Sequence, residues 1–397
     1  MTDLADPELP RSGRTEEIWK ELREQSPLYR NERANGPAFW AVLSHPLANQ
    51  VLRDSANFTS EKGMRLDHNP LATEASAGKM LIVTDPPRHG KIRRIINSAF
   101  TPRMVKRLED TMRSTVVETL EEALEKGTSD FVDAAARLPV SVICDMLGVP
   151  KEDWGFMLDR TMIAFGSDAV DGGEDQAMRA AAAHTDLLMY YDELVELRRE
   201  DPQEDVVSAM VQGEVDGEPL TDEEIFLNCD GLISGGNETT RHATVGGLLA
   251  LMDHPDQWDR LRADPGLLPS TVQEVLRYTS PAMHVLRTAN QDTELEGRAI
   301  AAGDEVAVWL SAANRDGQVF ENPDAFDVGR SPNRHLTFAS GTHFCLGSAL
   351  ATMELSVMFE ELTRRVGAAG HAGPVQRMRS NLIWGFESMP VALGRRG

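Results

Sequence analysis

One cysteine of this sequence has neighbours from which its chemistry can be inferred. Cys345 follows a short, turn-forming loop that ends near Gly341, and it precedes a segment whose apolar residues recur at helical spacing. The sulfur should therefore lie just before the N-terminus of a helix, where free backbone N–H groups and the helix dipole favour an anion. We expect this thiol to ionise easily and to act as a nucleophile, a redox sensor or a metal ligand.

An acid and a hydroxyl lie side by side in the longest helical pattern, which spans about residues 221–252. The middle of this pattern reads GLISGGNETTR, and each glycine inside a helix costs about 1 kcal/mol relative to alanine. Gly235 and Gly236 therefore predict a bulky group lying against the helix. Glu238 and Thr239 follow them, and a threonine that bonds to a preceding carbonyl can bend a helix and make room for water.

Two further pairs share a helix face by their spacing. His89 and Arg93 are four residues apart after a helix start marked by Asp85 and two prolines, and together they could bind carboxylates. Glu274 and Arg277 are three residues apart and could form an ion pair. Either pair could instead lie on a solvated surface, and for a pair such as Glu274 and Arg277 this is the commoner outcome in an arbitrary sequence.

The cysteine loop, FASGTHFCLG at residues 338–347, resembles the haem-binding loop of the cytochromes P450. In that family the cysteine is the proximal ligand of the haem iron. The matching positions are Phe338, Gly341, His343, Cys345 and Gly347. The sequence departs from the family pattern at Ala339, where a second glycine is usual, and a methyl group is the smallest possible addition.

Three other segments resemble motifs of the same family, in its order and spacing. They are HGKIR at 89–93, GGNET at 235–239 and EVLR at 274–277. The resemblance implies haem b with Cys345 as the axial thiolate and metal ligand. It assigns the haem propionates to four residues: His89, Arg93, Arg287 and His343.

The resemblance also implies roles for residues outside the haem contacts. Glu238 and Thr239 would support proton delivery during oxygen activation, and Glu274 with Arg277 would be structural, with Arg330 or His335 as their third partner. A set of candidate pocket residues could equally belong to the core: Gly231, Ser234, Gly235, Met283, Val285, Ile383 and Trp384.

The chain is expected to form one domain over residues 1–397, since no linker, repeat or low-complexity block divides it and 41% of its residues are hydrophobic. Helical patterns dominate at about 86–280 and 346–366. Strand-like alternation occurs at about 35–60, 285–330 and 376–397. The resemblance implies the P450 fold, mainly α with a smaller β region (α+β), in which a long central helix and a helix after the cysteine loop enclose the haem.

Two segments lack a regular pattern. Residues 61–79 predict a long loop, which in the resembled family lies over the substrate. Residues 165–176 interrupt a helical pattern with Gly, Ser and Asp, as expected of a mobile connection.

Charge limits the classes of partner. The formal net charge of -23 disfavours binding to nucleic acid. Residues 86–107 oppose this trend with seven Lys or Arg and no acid, which predicts a positive patch for an anionic partner. The resemblance implies that an acidic ferredoxin would dock there, and Lys91, Lys106 and Arg107 are candidate contacts.

Location is inferred from cysteines and hydropathy. Three cysteines without paired spacing favour a reducing compartment. The first residues lack a signal-peptide pattern, and no run reaches the roughly 18 apolar residues of a membrane span. We expect a cytoplasmic monomer with no membrane span.

The function implied by the resemblance is that of a haem-thiolate monooxygenase that activates O2 and oxidises, most commonly hydroxylates, a small, mostly apolar molecule. Electrons would come from a separate ferredoxin and ferredoxin reductase, with NAD(P)H as the donor. The chain resembles actinobacterial enzymes of secondary metabolism, whose polyketide, aromatic acid or terpenoid substrates are free or tethered to a carrier protein. A peroxide-using haem enzyme and a non-catalytic haem-binding or sensor protein remain alternatives.

Overall fold

Helices make up most of the chain in this computed structural model, which describes residues 2–33, 36–165 and 173–397. Within those residues no helix combines the length and apolarity needed to cross a membrane. The α-helices of the described residues are α1 (Thr15–Gln25), α2 (His45–Arg53), α3 (Pro70–Ser76), α4 (Arg88–Ser98), α5 (Pro102–Lys126), α6 (Phe131–Leu147), α7 (Trp154–Phe165), α8 (Gly173–Glu200), α9 (Val206–Val211), α10 (Asp222–Asp253), α11 (Pro255–Ala263), α12 (Leu268–Thr279), α13 (Leu310–Ala313) and α14 (Ser348–Arg365).

The strands are short and form one larger sheet and several two- or three-stranded ones. In chain order they are β1 (Leu28–Asn31), β2 (Phe39–Val42), β3 (Phe58–Thr59), β4 (Thr128–Asp130), β5 (Glu214–Val215), β6 (Glu218–Pro219), β7 (His284–Ala289), β8 (Thr293–Leu295), β9 (Arg298–Ile300), β10 (Glu305–Trp309), β11 (Val366–His371), β12 (Gln376–Arg377), β13 (Phe386–Ser388) and β14 (Pro390–Arg395). The five-stranded sheet has the order β1-β2-β10-β7-β3, and β12 pairs with β13 in an antiparallel hairpin. The predicted mainly α class with a smaller β region is confirmed.

The central helix α10 organises the helical part. Its 32 residues correspond to about 48 Å, and its start is fixed by a capping box in which Thr221 and Glu224 exchange hydrogen bonds. It packs against α6, α12 and α14. Gly236 makes the contact with α6 possible, because a Cβ there would lie 2.6 Å from Cδ1 of Ile143. The two adjacent glycines therefore differ in what they avoid. Gly236 avoids a clash with α6, whereas Gly235 has no atom within 4 Å of its Cβ position.

The five-stranded sheet fixes the position of Arg287. This residue lies on β7, which pairs in antiparallel fashion with β10, and Val306 is the register partner of Arg287. Separate groups of buried apolar side chains surround this sheet, one including Val308 and the other including Trp309. The sheet is thus anchored by hydrophobic packing on both faces, and β7 is a rigid support.

Some elements differ from the sequence-based expectations. The stretch 61–79, expected to be a loop, contains the short helix α3, whose start is capped by the side chain of Asn69. Strands β4, β5 and β6 lie within the region expected to be helical. They are only two or three residues long, which is too short for a periodic pattern to reveal. Most of the connection predicted at 165–176 lies outside the described residues.

Candidate active site

The cysteine loop is held by its backbone. The N–H of Cys345 donates to the carbonyl of Phe338 at 2.9 Å, and a short 3₁₀ turn lies between them at Gly341–His343. Gly341 has a φ of +74°, and a Cβ there would lie 2.5 Å from the carbonyl oxygen of Leu52, so both conformation and space require glycine. Ala339 also has a positive φ, +55°. The family's usual glycine at this position is thus replaced at a cost in backbone strain rather than in volume.

The thiol of Cys345 lies just before α14, as predicted, but this position does not by itself ionise it. Burial raises the pKa of Cys345, while the N–H of Gly347 and the charge of Arg93 lower it by a smaller amount. The expectation of easy ionisation is therefore wrong, because desolvation outweighs the helix start. Coordination to a metal ion deprotonates a thiol outright, so this partly buried, desolvated position suits a metal ligand better than a free nucleophile.

A cluster of cationic and hydrogen-bonding side chains lies beside the cysteine loop. The rings of His89 and His343 are 4.4 Å apart between centroids, and Nε2 of His343 is 3.2 Å from Oδ1 of Asp85. Burial lowers the pKa of His89 to about 4, and the charges of His343, Arg93 and Arg287 act in the same direction. The four predicted propionate-binding residues are therefore neighbours in space.

This cluster has more donors than the nearby acids can satisfy. Asp85 is the acid among the groups that most affect the pKa of His89 in the described residues. Arg287 is buried, its pKa is lowered to about 10 by burial, and its guanidinium donates to the backbone carbonyl of Leu286 at 2.7 Å. No acidic partner of Arg93 occurs in the part of the chain that the structure describes. Such a set is suited to bind additional carboxylates.

The donor set and the shape of the site fit a haem. The thiol of Cys345 could supply a ligand to the haem iron, and the cationic cluster could bind two propionates. Gly235 on α10 and Gly347 at the cysteine loop both lack any atom within 4 Å of a Cβ position, so each leaves open space in which a bulky group could lie. The bulky group predicted from Gly235 is consistent with this space.

Glu238 and Thr239 face different environments. Oγ1 of Thr239 donates to the carbonyl of Gly235 at 3.2 Å, which is the predicted bond to a preceding turn. Glu238 is buried, and its carboxylate lies 2.5 Å from Nη2 of Arg241 and 3.2 Å from Nε2 of His242. Burial raises the pKa of Glu238, but the hydrogen bond from His242 and the charge of Arg241 outweigh it and lower the pKa overall.

Arg241 and His242 are therefore site residues that the sequence analysis missed. They follow Glu238 by three and four positions, and this spacing alone could have identified them, because residues so spaced share a helix face. They hold the Glu238 side chain in the protein interior, whereas Thr239 is partly exposed.

The Glu274 and Arg277 pair is fully buried rather than a solvated surface pair. The guanidinium of Arg277 donates to both carboxylate oxygens of Glu274 at 2.8 Å. Arg330 completes the cluster with bonds of 3.0 and 3.1 Å to the same carboxylate. His335 instead contacts Oε1 of Gln273 at 3.0 Å, so Arg330 is the third partner. Oε1 of Glu274 also accepts a hydrogen bond from the backbone N–H of Asp327, and this bond anchors the segment that leads to the cysteine loop.

The predicted pocket residues separate into two groups. Gly231, Ser234 and Gly235 lie on one stretch of α10, and the methyl of Met80 lies against Gly231, where a Cβ would approach it to 2.7 Å. Val285 and Ile383 are partly buried on adjacent segments that an antiparallel bridge joins.

For Met283 and Trp384, the structure favours the core, which was one of the two alternatives left open for them. Both are buried, at 2% and 7% exposure, in the hydrophobic core beside the five-stranded sheet. Trp384 packs edge-on against Trp19, with 5.4 Å between the ring centroids. Alternation along an extended segment turns these side chains away from Val285 and Ile383.

The basic stretch at 86–107 is largely neutralised by acids from elsewhere in the chain. Five of its seven cations form ion pairs: Arg88 with Glu224, Lys91 with Asp216, Arg103 with Glu204, Lys106 with Asp110 and Arg107 with Asp145. The prediction of a concentrated positive patch in this stretch is therefore wrong. Arg94 is exposed and has no acidic partner among the described residues.

Comparison with known proteins agrees with this geometry. The family profile described as Cytochrome P450 matches residues 174–366. Cytochrome P450 NovI of Streptomyces niveus is 38% identical over 98% of this chain and 96% of its own length. The steroid C26-monooxygenase of Mycobacterium tuberculosis is 37% identical over 98% of this chain and 96% of its own.

A solved structure extends the similarity to the whole fold. The crystal structure of P450 OxyD, which is involved in the biosynthesis of vancomycin-type antibiotics, matches with a TM-score of 0.91 and 38% identity and covers 100% of both chains. The fold predicted from the sequence motifs is therefore confirmed. With its cysteine loop, its cationic cluster and relatives at this identity over nearly its whole length, the chain belongs to the cytochrome P450 family of monooxygenases.

Proposed function

We propose that this protein is a haem-thiolate monooxygenase that hydroxylates a small, mostly apolar molecule in the biosynthesis of a secondary metabolite. The observation that carries the proposal is the partly buried thiol of Cys345 beside a cluster of donors that the nearby acids do not satisfy. The involvement of the similar enzyme OxyD in the biosynthesis of vancomycin-type antibiotics supports the metabolic setting.

Haem b is the group that these residues would hold. Cys345 would be the axial ligand, and His89, Arg93, Arg287 and His343 would bind the propionates. When bound, the haem supplies the chemistry by which O2, two electrons and two protons convert a C–H bond to C–OH with release of water. The chain itself binds and orients the substrate, excludes water and supplies protons.

Proton handling belongs to Thr239 and Glu238 in this proposal. The Thr239 hydroxyl, partly exposed on α10, is placed to pass a proton towards the cleft. Arg241 and His242 keep Glu238 ionised, so Glu238 can take up a proton from solvent only when these two contacts weaken. Release of Glu238 is thus a step that the protein can control.

The substrate would lie between α10 and the segments that carry Val285 and Ile383. Met80 and Ile82, from the segment before α4, add apolar surface, and Ile82 is 37% exposed. This lining supports a mostly apolar substrate, either free or tethered to a carrier protein. Polyketide, aromatic acid and terpenoid skeletons all fit this description.

We further propose that electrons come from a ferredoxin and its NAD(P)H-dependent reductase, and that residues 1–397 act as one domain and as a cytoplasmic monomer. The three cysteines, all within the described residues, are free, and this supports a reducing compartment. Arg94 is the exposed cation next to Arg93 in the sequence. The charges of Arg93 and Cys345 interact, and this supports a docking surface that includes Arg94.

The test is the carbon monoxide difference spectrum of the reduced protein, for the parent and for Cys345→Ser. The parent should give the band typical of an axial thiolate, and the variant should lose it. Cys144→Ser, at a buried cysteine of the core, is the matched control and should keep the band. A thiolate band that persists in Cys345→Ser would refute the axial assignment, and the absence of any haem band in the parent would refute the whole proposal.

A further inference from the structure

A single buried histidine joins the acid of the central helix to the C-terminal hairpin. Nε2 of His242 lies 3.2 Å from Oε2 of Glu238, and Nδ1 of His242 accepts the backbone N–H of Phe386 at 3.3 Å. Nδ1 is therefore the unprotonated nitrogen of a neutral ring, and Nε2 carries the hydrogen that is donated to Glu238. His242 is completely buried, so water does not replace either bond.

The hairpin is shaped to accept this ring. A Cβ on Gly385 would lie 2.8 Å from Cδ2 of His242 and 2.6 Å from Sδ of Met378, so a side chain at this position would push the hairpin away from the helix. The contact thus depends on a glycine that precedes β13. Such a close fit makes movements of the hairpin and of the ring interdependent.

The charges around the ring come from the helix and from the hairpin. Arg241 lies 2.5 Å from the Glu238 carboxylate and 3.3 Å from the ring nitrogen of His242, and its other terminal nitrogen is 3.1 Å from Sδ of Met162 on α7. Arg377 of β12 lies over the ring of Phe386, with 4.1 Å from Cζ to the centroid. The Glu238 carboxylate is the one acid that contacts His242 among the described residues.

The other end of the hairpin reaches the pocket. Ile383 pairs with Ala282 through an antiparallel bridge, and the N–H of Met283 donates to the carbonyl of Leu382 at 2.8 Å. Ile383 is three residues from Phe386, so a short stretch of backbone connects the pocket wall to the N–H that His242 accepts. The path from pocket to acid contains two hydrogen bonds and one ring.

We propose that His242 is a positioning residue that couples the hairpin of residues 376–388 to the orientation of the Glu238 carboxylate. A substrate that displaces Ile383 moves Phe386 and His242, and this weakens the contact between His242 and Glu238. The proton step then responds to occupation of the pocket. This inference rests on the proposed function for the role of Glu238, but the coupling itself is a property of the resting protein.

The experiment measures hydrogen exchange of the peptide spanning residues 382–389 by mass spectrometry in the haem-loaded resting protein. Because coupling is reciprocal, Glu238→Gln should increase exchange at the Phe386 amide by about tenfold, although it touches only the far side of the ring. His242→Gln, which keeps a donor near the Nε2 position but no acceptor near Nδ1, should do the same. His242→Asn, which keeps an acceptor near Nδ1 but no donor to Glu238, should also increase exchange, because the coupling needs both contacts of the ring.

The matched control is His371→Gln, which breaks a histidine–carboxylate pair of the same 3.2 Å length at the exposed surface with Asp253. It should leave exchange of the hairpin unchanged. Each variant is first checked for its carbon monoxide spectrum. Since Glu238→Gln leaves Arg241 without its buried partner, Glu238→Asp is a second variant with a shorter side chain and should also increase exchange.

Two outcomes separate this inference from the proposed function. If His242→Gln increases exchange but neither Glu238 variant does, the two ends are independent and the coupling is refuted. If the Glu238 variants increase exchange but give the same product per NAD(P)H as the parent, the coupling stands and the proton-handling role of Glu238 is refuted.

Discussion

At the residue scale, some side chains of the site have properties that follow from the residue type and its neighbours in the sequence. Others have properties that depend on the surroundings created by the fold. The hydroxyl of a threonine inside a helix can bond to the carbonyl of the preceding turn, so the contact from Thr239 to Gly235 could be predicted. The state of Cys345 could not, because it depends on how many distant segments bury the sulfur. The sequence therefore identifies the ligand but not its pKa.

Thr239→Ala should keep haem binding but reduce the product formed per NAD(P)H by about tenfold, with the lost electrons appearing as peroxide or water. The reason is that the hydroxyl supplies a hydrogen bond worth about 1.5 kcal/mol to the proton step, which corresponds to about tenfold in rate. The measurement is product and peroxide per NAD(P)H consumed. Thr239→Ser, which keeps a hydroxyl, should restore most of the yield, and equal yields for parent and Thr239→Ala would remove Thr239 from the mechanism.

At the element scale, the limits of prediction concern direction and pairing. Helices α4, α10 and α14 were located from capping residues and apolar spacing, which are local properties. The orientation of Met283 and Trp384 could not be predicted, because a shift of one residue in an extended segment moves a side chain from the pocket face to the core face. The choice of Arg330 over His335 likewise depends on the path of a loop with no periodic pattern.

The Glu274 cluster should be the most sensitive polar element of the fold. Glu274→Ala leaves the guanidinium of Arg277 buried without its partner, and breaking such a pair costs about 3–5 kcal/mol. Unfolding by urea, followed by tryptophan fluorescence, should show this loss together with loss of haem. Glu122→Ala, which breaks an exposed pair with Arg137, should leave the urea midpoint unchanged, and similar effects of both variants would contradict a special role for the buried cluster.

The packing of α10 against α12 and α14 depends on Gly247. A Cβ there would lie 2.8 Å from Cγ1 of Val275 and would also collide with the ring of Phe359. Gly247→Ala should therefore destabilise the protein by about 1–3 kcal/mol, despite the better helix propensity of alanine. Gly155→Ala on α7, where no atom lies within 4 Å, is the matched control in the same urea experiment. Equal urea midpoints for parent and Gly247→Ala would mean that the helices can move apart without loss of stability, which would contradict this prediction.

At the scale of the whole molecule, charge pairing between distant segments was the main property hidden from the sequence. The stretch 86–107 contains no acid, yet Glu224, Asp216 and Glu204 reach it from parts of the chain more than 90 residues away. A net charge of -23 is thus combined with very few free cations on this side. An acidic ferredoxin would be repelled by most of the surface and attracted locally.

Arg94→Glu tests whether that local attraction exists. In stopped-flow reduction by a plant-type [2Fe–2S] ferredoxin at low salt, the variant should react about three- to tenfold more slowly, because steering by one exposed charge changes the association rate. The difference should shrink as salt is raised, since screening acts on exposed charges. Lys106→Glu is the control from the same stretch, and its smaller effect would follow from the pairing of Lys106 with Asp110 and Glu109. If both variants reduce at the parent rate at every salt concentration, the ferredoxin docks on another surface and this stretch has only a structural role.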